Sequence, residues 1–400
     1  MPRRMKLLLF AYYFPPANAS GAQRAARLAK YLPAAGVDCC VVAQGAPARR
    51  GGLVYVDTGG GGWREAACRI AQRYLLAVNE RLPWVPCALE AAERLAREQR
   101  FGAILSTSPP LATHLAAMAL ARRTGLPWIA DFRDPLAGNF SRERRWLNYD
   151  LWLERRIFRE AALCVANTDA LEAEWRSRHV RHGAKIRLLW NGFDPEEAMP
   201  GPRPRGAGPK TLLHAGSLYG ARRPGHFLRT LARLARAGGV RAGEWKAVLL
   251  GPVEPDTFSD AAAEREELER AGLLEVDARM ASREEAAAAQ AGADALLLLD
   301  VSHREASVQV PAKLFEYART GLPLVAWTPE GSPARRLVER TGLETLCVAP
   351  QTPVEEAAAR LGAFLSRGPQ RRALAAEFIE EFDGRRQAAR LAAWIREAAG

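Results

Sequence analysis

Hydrophobic positions along this chain come in two patterns: short continuous runs, and longer stretches in which they recur every three or four residues. Lys6–Phe14 is the first run, apolar almost throughout, as expected of a strand covered on both faces. Pro15-Pro16 ends it, and a loop of small residues follows, Ala17-Asn18-Ala19-Ser20-Gly21. Ala25, Leu28, Ala29 and Leu32 then recur at helical spacing, Gly36 closes that helix, and Val37–Ala43 is the next strand. A strand–helix–strand unit of this kind implies a parallel sheet. Residues 45–62, rich in Gly and Arg, read as a loop. Helices are expected at Trp63–Val78, Pro86–Gln99, Pro110–Thr124 and Trp146–Ala161, the last long and amphipathic. Strands are expected at Phe101–Ser106, Pro127–Asp131, Leu163–Asn167 and Ile186–Trp190.

Pro195–Lys210 contains MPGPRPRGAGPK, whose density of Pro and Gly marks an interdomain linker. A second α/β series begins beyond it. Its strands are Thr211–Ala215, Trp245–Leu250, Ala295–Asp300 and Pro323–Trp327. Its helices are Pro224–Ala237, Ser282–Gln290 and Ala312–Thr320. The tail, Gln370–Ala399, reads as helical throughout with a break near Asp383-Gly384. The pattern divides the chain into a domain over 1–197, a linker over 198–210, a domain over 211–372 and a helical segment over 373–400 that packs back on the first domain. A chain of 400 residues is too long for one ordinary core, which agrees with two.

The formal net charge is +12, so the surface attracts phosphates of some kind. Only six of the 57 basic residues are Lys: Lys6, Lys30, Lys185, Lys210, Lys246 and Lys313. A bias toward Arg and Ala accounts for the charge equally well. No dense basic run is interleaved with aromatics, which argues against nucleic acid and for small phosphorylated ligands. The six cysteines form no CxxC pair and no Cys/His cluster of zinc spacing, as befits small core residues in a reducing cytosol. MPRRMKLLLFAYYF superficially suggests a signal peptide, but its apolar run is short and no small-residue cleavage site follows; a buried first strand explains it better. No apolar stretch approaches the roughly 20 residues needed to span a bilayer. The expected location is the cytoplasm, with membrane contact, if any, peripheral on the inner face.

Four segments carry candidate chemistry. The loop ending at Gly21 follows a parallel strand and opens a helix, where free N–H groups and the dipole favour an anion. It has one Gly rather than GxGxxG, and an ordinary βα turn accounts for it equally well. The corresponding loop of the second half is His214-Ala215-Gly216-Ser217-Leu218-Tyr219-Gly220-Ala221-Arg222-Arg223-Pro224. Two guanidiniums beside a helix N-terminus make a diphosphate clamp, because Arg binds phosphate oxygens bidentately. A solvated Arg pair is the rival reading. Pro311-Ala312-Lys313-Leu314-Phe315-Glu316-Tyr317 places Lys and Glu one turn apart on a helix at the carboxyl edge of the sheet, where a carboxylate can grip both hydroxyls of a ribose. A surface ion pair is the alternative. Asp131-Phe132-Arg133-Asp134 places three charges directly after an apolar strand, beyond what packing needs, with His114 on the preceding helix, where a lone His is more often a satisfied structural residue than a catalyst.

Taken in order, these segments resemble the GT-B glycosyltransferases of family 4, in particular bacterial transferases of polysaccharide and lipopolysaccharide synthesis, including a group with an L-fucosamine transferase. The resemblance rests on YYFPP at 12–16, STSPP at Ser106–Pro110, DFRDP at Asp131–Pro135, NGFD at Asn191–Asp194, GSLYG at Gly216–Gly220 with Arg222, and PAKLFEY at Pro311–Tyr317. It implies an α/β chain of GT-B type, two Rossmann-like domains with parallel sheets facing a central cleft, the first for the acceptor and the second for the donor. Two departures stand out. Many relatives carry two glutamates seven residues apart; Glu316 fits the second, but Val308 stands at the first. Many also have a His where Arg133 stands here.

The chemistry so implied is displacement of a nucleoside diphosphate from a sugar by an acceptor hydroxyl, with retention. The donor would be a nucleotide sugar, UDP- or GDP-linked, and the acceptor a glycan or a lipid-linked glycan. Gly21, Gly216, Ser217, Tyr219, Arg222, Arg223, Lys313, Leu314 and Glu316 are the expected donor-binding residues. Asp131, Arg133, Asp134 and His114 are the expected catalytic ones. No Asp-x-Asp occurs, so a metal-bridged diphosphate is not required and no cofactor is expected. A nucleotide-sugar epimerase of the same fold and a silent nucleotide-binding scaffold are the competing readings. Trp63–Trp84 and Trp146–Phe158 mix aromatics with Arg, as helices lying on an anionic membrane do, or as core helices with solvated arginines do.

Overall fold

The computed structural model describes residues 4–17, 20–58, 81–139, 142–197, 208–220, 222–300, 308–368 and 370–400. They fall into two units, Met1–Pro195 with Phe382–Gly400, and Glu196–Glu381. The expected helix Trp63–Val78 and most of the linker lie outside the described residues.

The first unit is built on eight strands: β1 (Met5–Phe10), β2 (Val37–Gln44), β3 (Ala48–Arg50), β4 (Leu53–Val56), β5 (Ala103–Ser108), β6 (Trp128–Phe132), β7 (Leu163–Ala166) and β8 (Ile186–Leu188), in the order β3-β4-β2-β1-β5-β6-β7-β8. All neighbours are parallel except β3 and β4. Alternate residues of β1 enter different cores. Leu8 and Phe10 meet Trp84, Ala88 and Leu95 of α2 (Trp84–Glu98) and Ala116 of α3 (Ala112–Thr124). Leu7 and Leu9 share a core with Ala25 and Leu28 of α1 (Ser20–Tyr31). Covering both faces is why the run shows no polar alternation. The helices α4 (Leu147–Glu160) and α5 (Asp169–Arg178) complete the run of connections up to β8.

The second unit has six strands, all parallel: β9 (Lys210–Ala215), β10 (Trp245–Leu250), β11 (Leu274–Asp277), β12 (Ala295–Leu299), β13 (Leu324–Trp327) and β14 (Thr345–Val348), in the order β11-β10-β9-β12-β13-β14. Its connecting helices are α6 (Gly225–Arg236), α7 (Ala262–Arg270), α8 (Arg283–Gly292), α9 (Lys313–Arg319), α10 (Pro333–Arg340) and α11 (Val354–Ser366). Phe227 and Leu231 of α6 pack with Leu361 and Phe364 of α11 against Leu249, Leu297 and Val325. The strand order reverses between β9 and β12, and loops leaving two strands that diverge there are where α/β sheets hold ligands. The equivalent reversal in the first unit lies between β1 and β5.

Three sequence expectations are corrected. The stretch 45–62 is not all loop: β3 and β4 form an edge hairpin turning at Gly51, whose φ is +58°, and whose neighbour Gly52 has Cys39 O 2.8 Å from where a Cβ would stand. The first strand ends at Phe10, because the chain bends at Tyr12 and Tyr13 before the prolines. The tail is irregular over residues 371–375 before α12 (Ala376–Phe382) and α13 (Gly384–Ala399). Among the described residues no helix is long and apolar enough to cross a membrane.

Candidate functional site

The C-terminal end of β9 and the first turn of α9 converge in the second unit. Leu314 and Phe315 are fully buried and seat α9 on the sheet. Tyr317, also buried, fastens it: its hydroxyl accepts the Ala215 N–H at 2.7 Å and donates to the Ala215 carbonyl at 3.1 Å. The helix therefore holds its Lys313 side chain across Gly216. A Cβ at Gly216 would fall within 2.9 Å of Lys313 Cε, and its φ of +140° also disfavours any other residue. Behind Gly216 lies Gly251, φ +133°, whose own Cβ would meet the Gly216 carbonyl carbon at 2.8 Å. Lys313 Nζ rests 3.0 Å from His214 Nε2. Burial, then the positive charge of Arg222, pushes the Lys313 ammonium down to about 7, against the weaker pull of Glu316 and Asp300.

Arg222 lies over the ring of Tyr219, its guanidinium carbon 5.2 Å from the centroid, and its buried Nε has no hydrogen-bond partner among the described residues. Two cations near one glycine-lined turn, with no carboxylate bonded to either among the described residues, form a positive site that an anion would relieve. Ser217 is half-buried beside it and Tyr219 is partly exposed. Glu316 is exposed one turn along α9. Two expected donor residues stand apart. Arg223 is exposed and bonds Ser259 Oγ at 3.1 Å, so the structure brings Arg222 to Lys313 but not its neighbour. Leu314 has its side chain in the core and its N–H on the Pro311 carbonyl at 3.0 Å, which leaves it no free donor.

In the first unit the charged residues after β6 divide sharply. Asp131 is 1% exposed. Its Oδ1 accepts from Arg24 Nη2 at 2.6 Å, and its Oδ2 from Arg24 Nε at 2.9 Å and Thr107 Oγ1 at 2.8 Å. The same Arg24 donates to the carbonyls of Leu189 at 2.9 Å and Trp190 at 2.7 Å. This carboxylate is committed on both oxygens to a strut that ties α1 to β5, β6 and the segment after β8. Arg133 is 9% exposed and donates to the Gly21 carbonyl at 2.7 Å and to the Pro109 carbonyl. Its guanidinium carbon would lie 2.8 Å from a Cβ at Gly21, so a larger residue there would have to displace the arginine head that packs on it. Asp134, half-buried, is the one carboxylate of the segment left near the surface.

His114 is corrected from a catalytic candidate to a core residue. It has no exposed surface, its Nδ1 is 2.7 Å from Ser106 Oγ, and its ring meets those of Trp128 and Phe132 edge-on. Burial pushes its pKa down to about 3, so the ring stays neutral.

Arg24, Thr107, His214, Tyr317 and Gly251 shape these two regions and were not singled out from the sequence. Arg24 is one arginine among many on an amphipathic helix, and His214 occupies a strand position where a core reading suffices. Only the end-of-strand location of His214, directly before a glycine-containing turn, hinted at more. Among the described residues no group of three or more His, Cys, Asp and Glu is gathered as a metal would need.

Residues 21–197 match the profile of Glycosyltransferase Family 4. Comparison with curated proteins finds no match. Among solved structures, a sucrose-phosphate synthase from Thermosynechococcus elongatus superposes with a TM-score of 0.67 at 15% identity, over 98% of this chain and 99% of that one. The Anabaena protein HepE, solved with UDP and glucose, gives a TM-score of 0.62 at 14% identity over 98% and 100%. The lipopolysaccharide outer core galactosyltransferase WaaB gives 0.63 at 14% over 98% and 100%. Residues 21–197 are thus similar to glycosyltransferase family 4, and the chain has, over its length, the GT-B fold.

Proposed function

We propose that the chain transfers a sugar from a nucleoside-diphosphate sugar, UDP- or GDP-linked, to a hydroxyl of a glycan or lipid-linked acceptor, with retention and without a metal. The observation that carries the reading is the positive site at the switch point of the second sheet: Lys313 across Gly216, with Arg222 beside it and no carboxylate bonded to either among the described residues. The departing diphosphate gains negative charge as the sugar–oxygen bond breaks, and fixed cations in a partly dehydrated pocket stabilise that charge more than water does. We assign Glu316, one turn further along α9, to the ribose hydroxyls. On the acceptor side we assign Asp134 to orient or deprotonate the hydroxyl, and Asp131 and Arg133 to hold the backbone beneath it. The family match over residues 21–197 supports transfer over epimerisation or silent binding. That HepE was solved with UDP and glucose, and that WaaB acts on a lipopolysaccharide core, support a UDP-linked donor and a glycan acceptor. We place the protein in the cytoplasm with peripheral contact at the membrane where such acceptors are built.

Isothermal calorimetry with UDP and GDP tests the donor site. Wild type binds one of them, and the affinity persists in EDTA. Arg222→Ala and Lys313→Ala each weaken it by about 1–3 kcal/mol, the scale of a charge-assisted hydrogen bond. Wild-type affinity in both variants would remove the assignment.

A further inference from the structure

We propose that His214 is the positioning residue for Lys313, a built-in acceptor that takes one ammonium N–H from below and so aims the other two at the ligand. The proposal rests on the donor-site reading for what the ligand is, but the Lys313–His214 contact is observed.

The direction of the hydrogen bonds follows from the partners. His214 Nδ1 lies 2.9 Å from the Leu297 carbonyl oxygen. A carbonyl only accepts, so Nδ1 carries the proton. The ring is wholly buried, and burial first, then the Lys313 charge, hold its pKa well below the ordinary imidazole value. It is therefore neutral. The Arg222 charge also lowers its pKa, and the Gly216 backbone also reaches the ring. With the proton held on Nδ1 by the Leu297 carbonyl, Nε2 offers a lone pair, which faces Lys313 Nζ at 3.0 Å. The sheet sets this tautomer. The pairing of Leu213 with Leu296 in the β9–β12 ladder puts Leu297 beside His214. The lysine is confined from its other sides as well. Gly216 lies against its stem, and the Tyr317–Ala215 clasp fixes the helix that carries it. The charged groups that act on Nζ are Arg222 from the loop after β9, Glu316 on α9 and Asp300 at the end of β12. None of them is hydrogen-bonded to Nζ among the described contacts, so the neutral imidazole is its fixed partner. A lysine on four rotatable bonds would otherwise pay entropy to point at an anion.

His214→Leu removes the acceptor and keeps the bulk. His214→Gln restores an acceptor oxygen near the position of Nε2. Melting temperature and far-ultraviolet circular dichroism establish that each variant is folded. The first readout is the titration of Lys313 itself, by trace acetylation over about pH 6 to about pH 11 and mass spectrometry of its peptide, which spans both the free and the buried range of a lysine amine. The second is UDP and GDP affinity over the same range. In wild type, affinity falls as pH rises through the Lys313 titration, because the anion loses its charged partner. In His214→Leu the ammonium has lost its acceptor, so the titration moves to lower pH and affinity falls about tenfold, as for one lost charge-assisted bond. In His214→Gln both stay near wild type, within about threefold. A folded His214→Leu protein whose Lys313 titrates as in wild type overturns the proposal. If neither nucleotide binds wild type while the Lys313 titration still moves in His214→Leu, the positioning contact stands and the donor reading falls.

Discussion

Asp131 and Arg24 face each other with both carboxylate oxygens engaged and side chains 1% and 3% exposed. Removing one partner leaves the other charge in the interior, which costs about 3–5 kcal/mol. Asp131→Asn is therefore expected to lower unfolding free energy by that order in urea titrations. Full stability with lost turnover would instead return Asp131 to the chemistry. From the sequence, three charges directly after an apolar strand read as chemistry because packing alone does not call for them. The partner of Asp131 sits 107 residues earlier, on a helix whose arginines all look alike. Lys313 was legible for the opposite reason: in a chain with six lysines, a lysine in a helix-opening PAKLFEY stands out. His114 was not legible, since a histidine on a helix shows nothing of the Ser106, Trp128 and Phe132 that enclose it.

The helix α4 shows where the pattern of an element decides and where it does not. Leu153, Ile157 and Phe158 face the core, while Trp152 is 51% exposed with Arg156 over its ring at 5.6 Å. Arg144, Arg145, Arg155 and Arg159 are exposed around it. Six positions separate Trp152 from Phe158, which is about 240° around a helix, so the two aromatics cannot share a face. Composition grouped them as one membrane-facing set; periodicity separates them. Trp84, grouped likewise, is a fully buried contact of Phe10 and Tyr12. Residues 63–78 lie outside the described residues. What remains for an anionic bilayer is Trp152 with its arginines. Flotation with vesicles of anionic lipid is expected to carry the protein at low salt and release it at high salt. Trp152→Ala combined with Arg155→Glu and Arg159→Glu abolishes it. Equal flotation of that variant, or none by wild type, ends the idea. The hairpin β3–β4 escaped the pattern because its strands are three and four residues long and lie at a sheet edge, with no buried side chain to set a period.

At the scale of the molecule, the first unit takes its last helix from the far end of the chain. Ala388, Leu391, Ala392 and Ile395 of α13 join the core that Leu7 and Leu9 form under α1. The segment is anchored by backbone bonds from Phe193 to Phe382 at 3.1 Å and from Gly384 to Phe193 at 3.0 Å, and by Asp383, which caps α13 through the Arg385 N–H at 2.7 Å. The repeated α/β alternation made both sheets readable; the tail read as a helical segment packing back on the first domain, but nothing in the sequence named Leu7, Leu9 and the other residues it meets. A chain ending at Glu381 is expected to lose the calorimetric transition of the first unit, or to melt it far earlier, while the transition of the second stays in place. Two unchanged transitions would show that α13 is dispensable.

That return has a consequence for how the protein is made. Domains commonly fold from the N-terminus onward as they leave the ribosome. Here the second unit is encoded wholly between two parts of the first. It can finish while the earlier sheet still waits with Leu7, Leu9, Leu28 and their neighbours uncovered, and a stop codon anywhere in its coding region would strand that sheet for good.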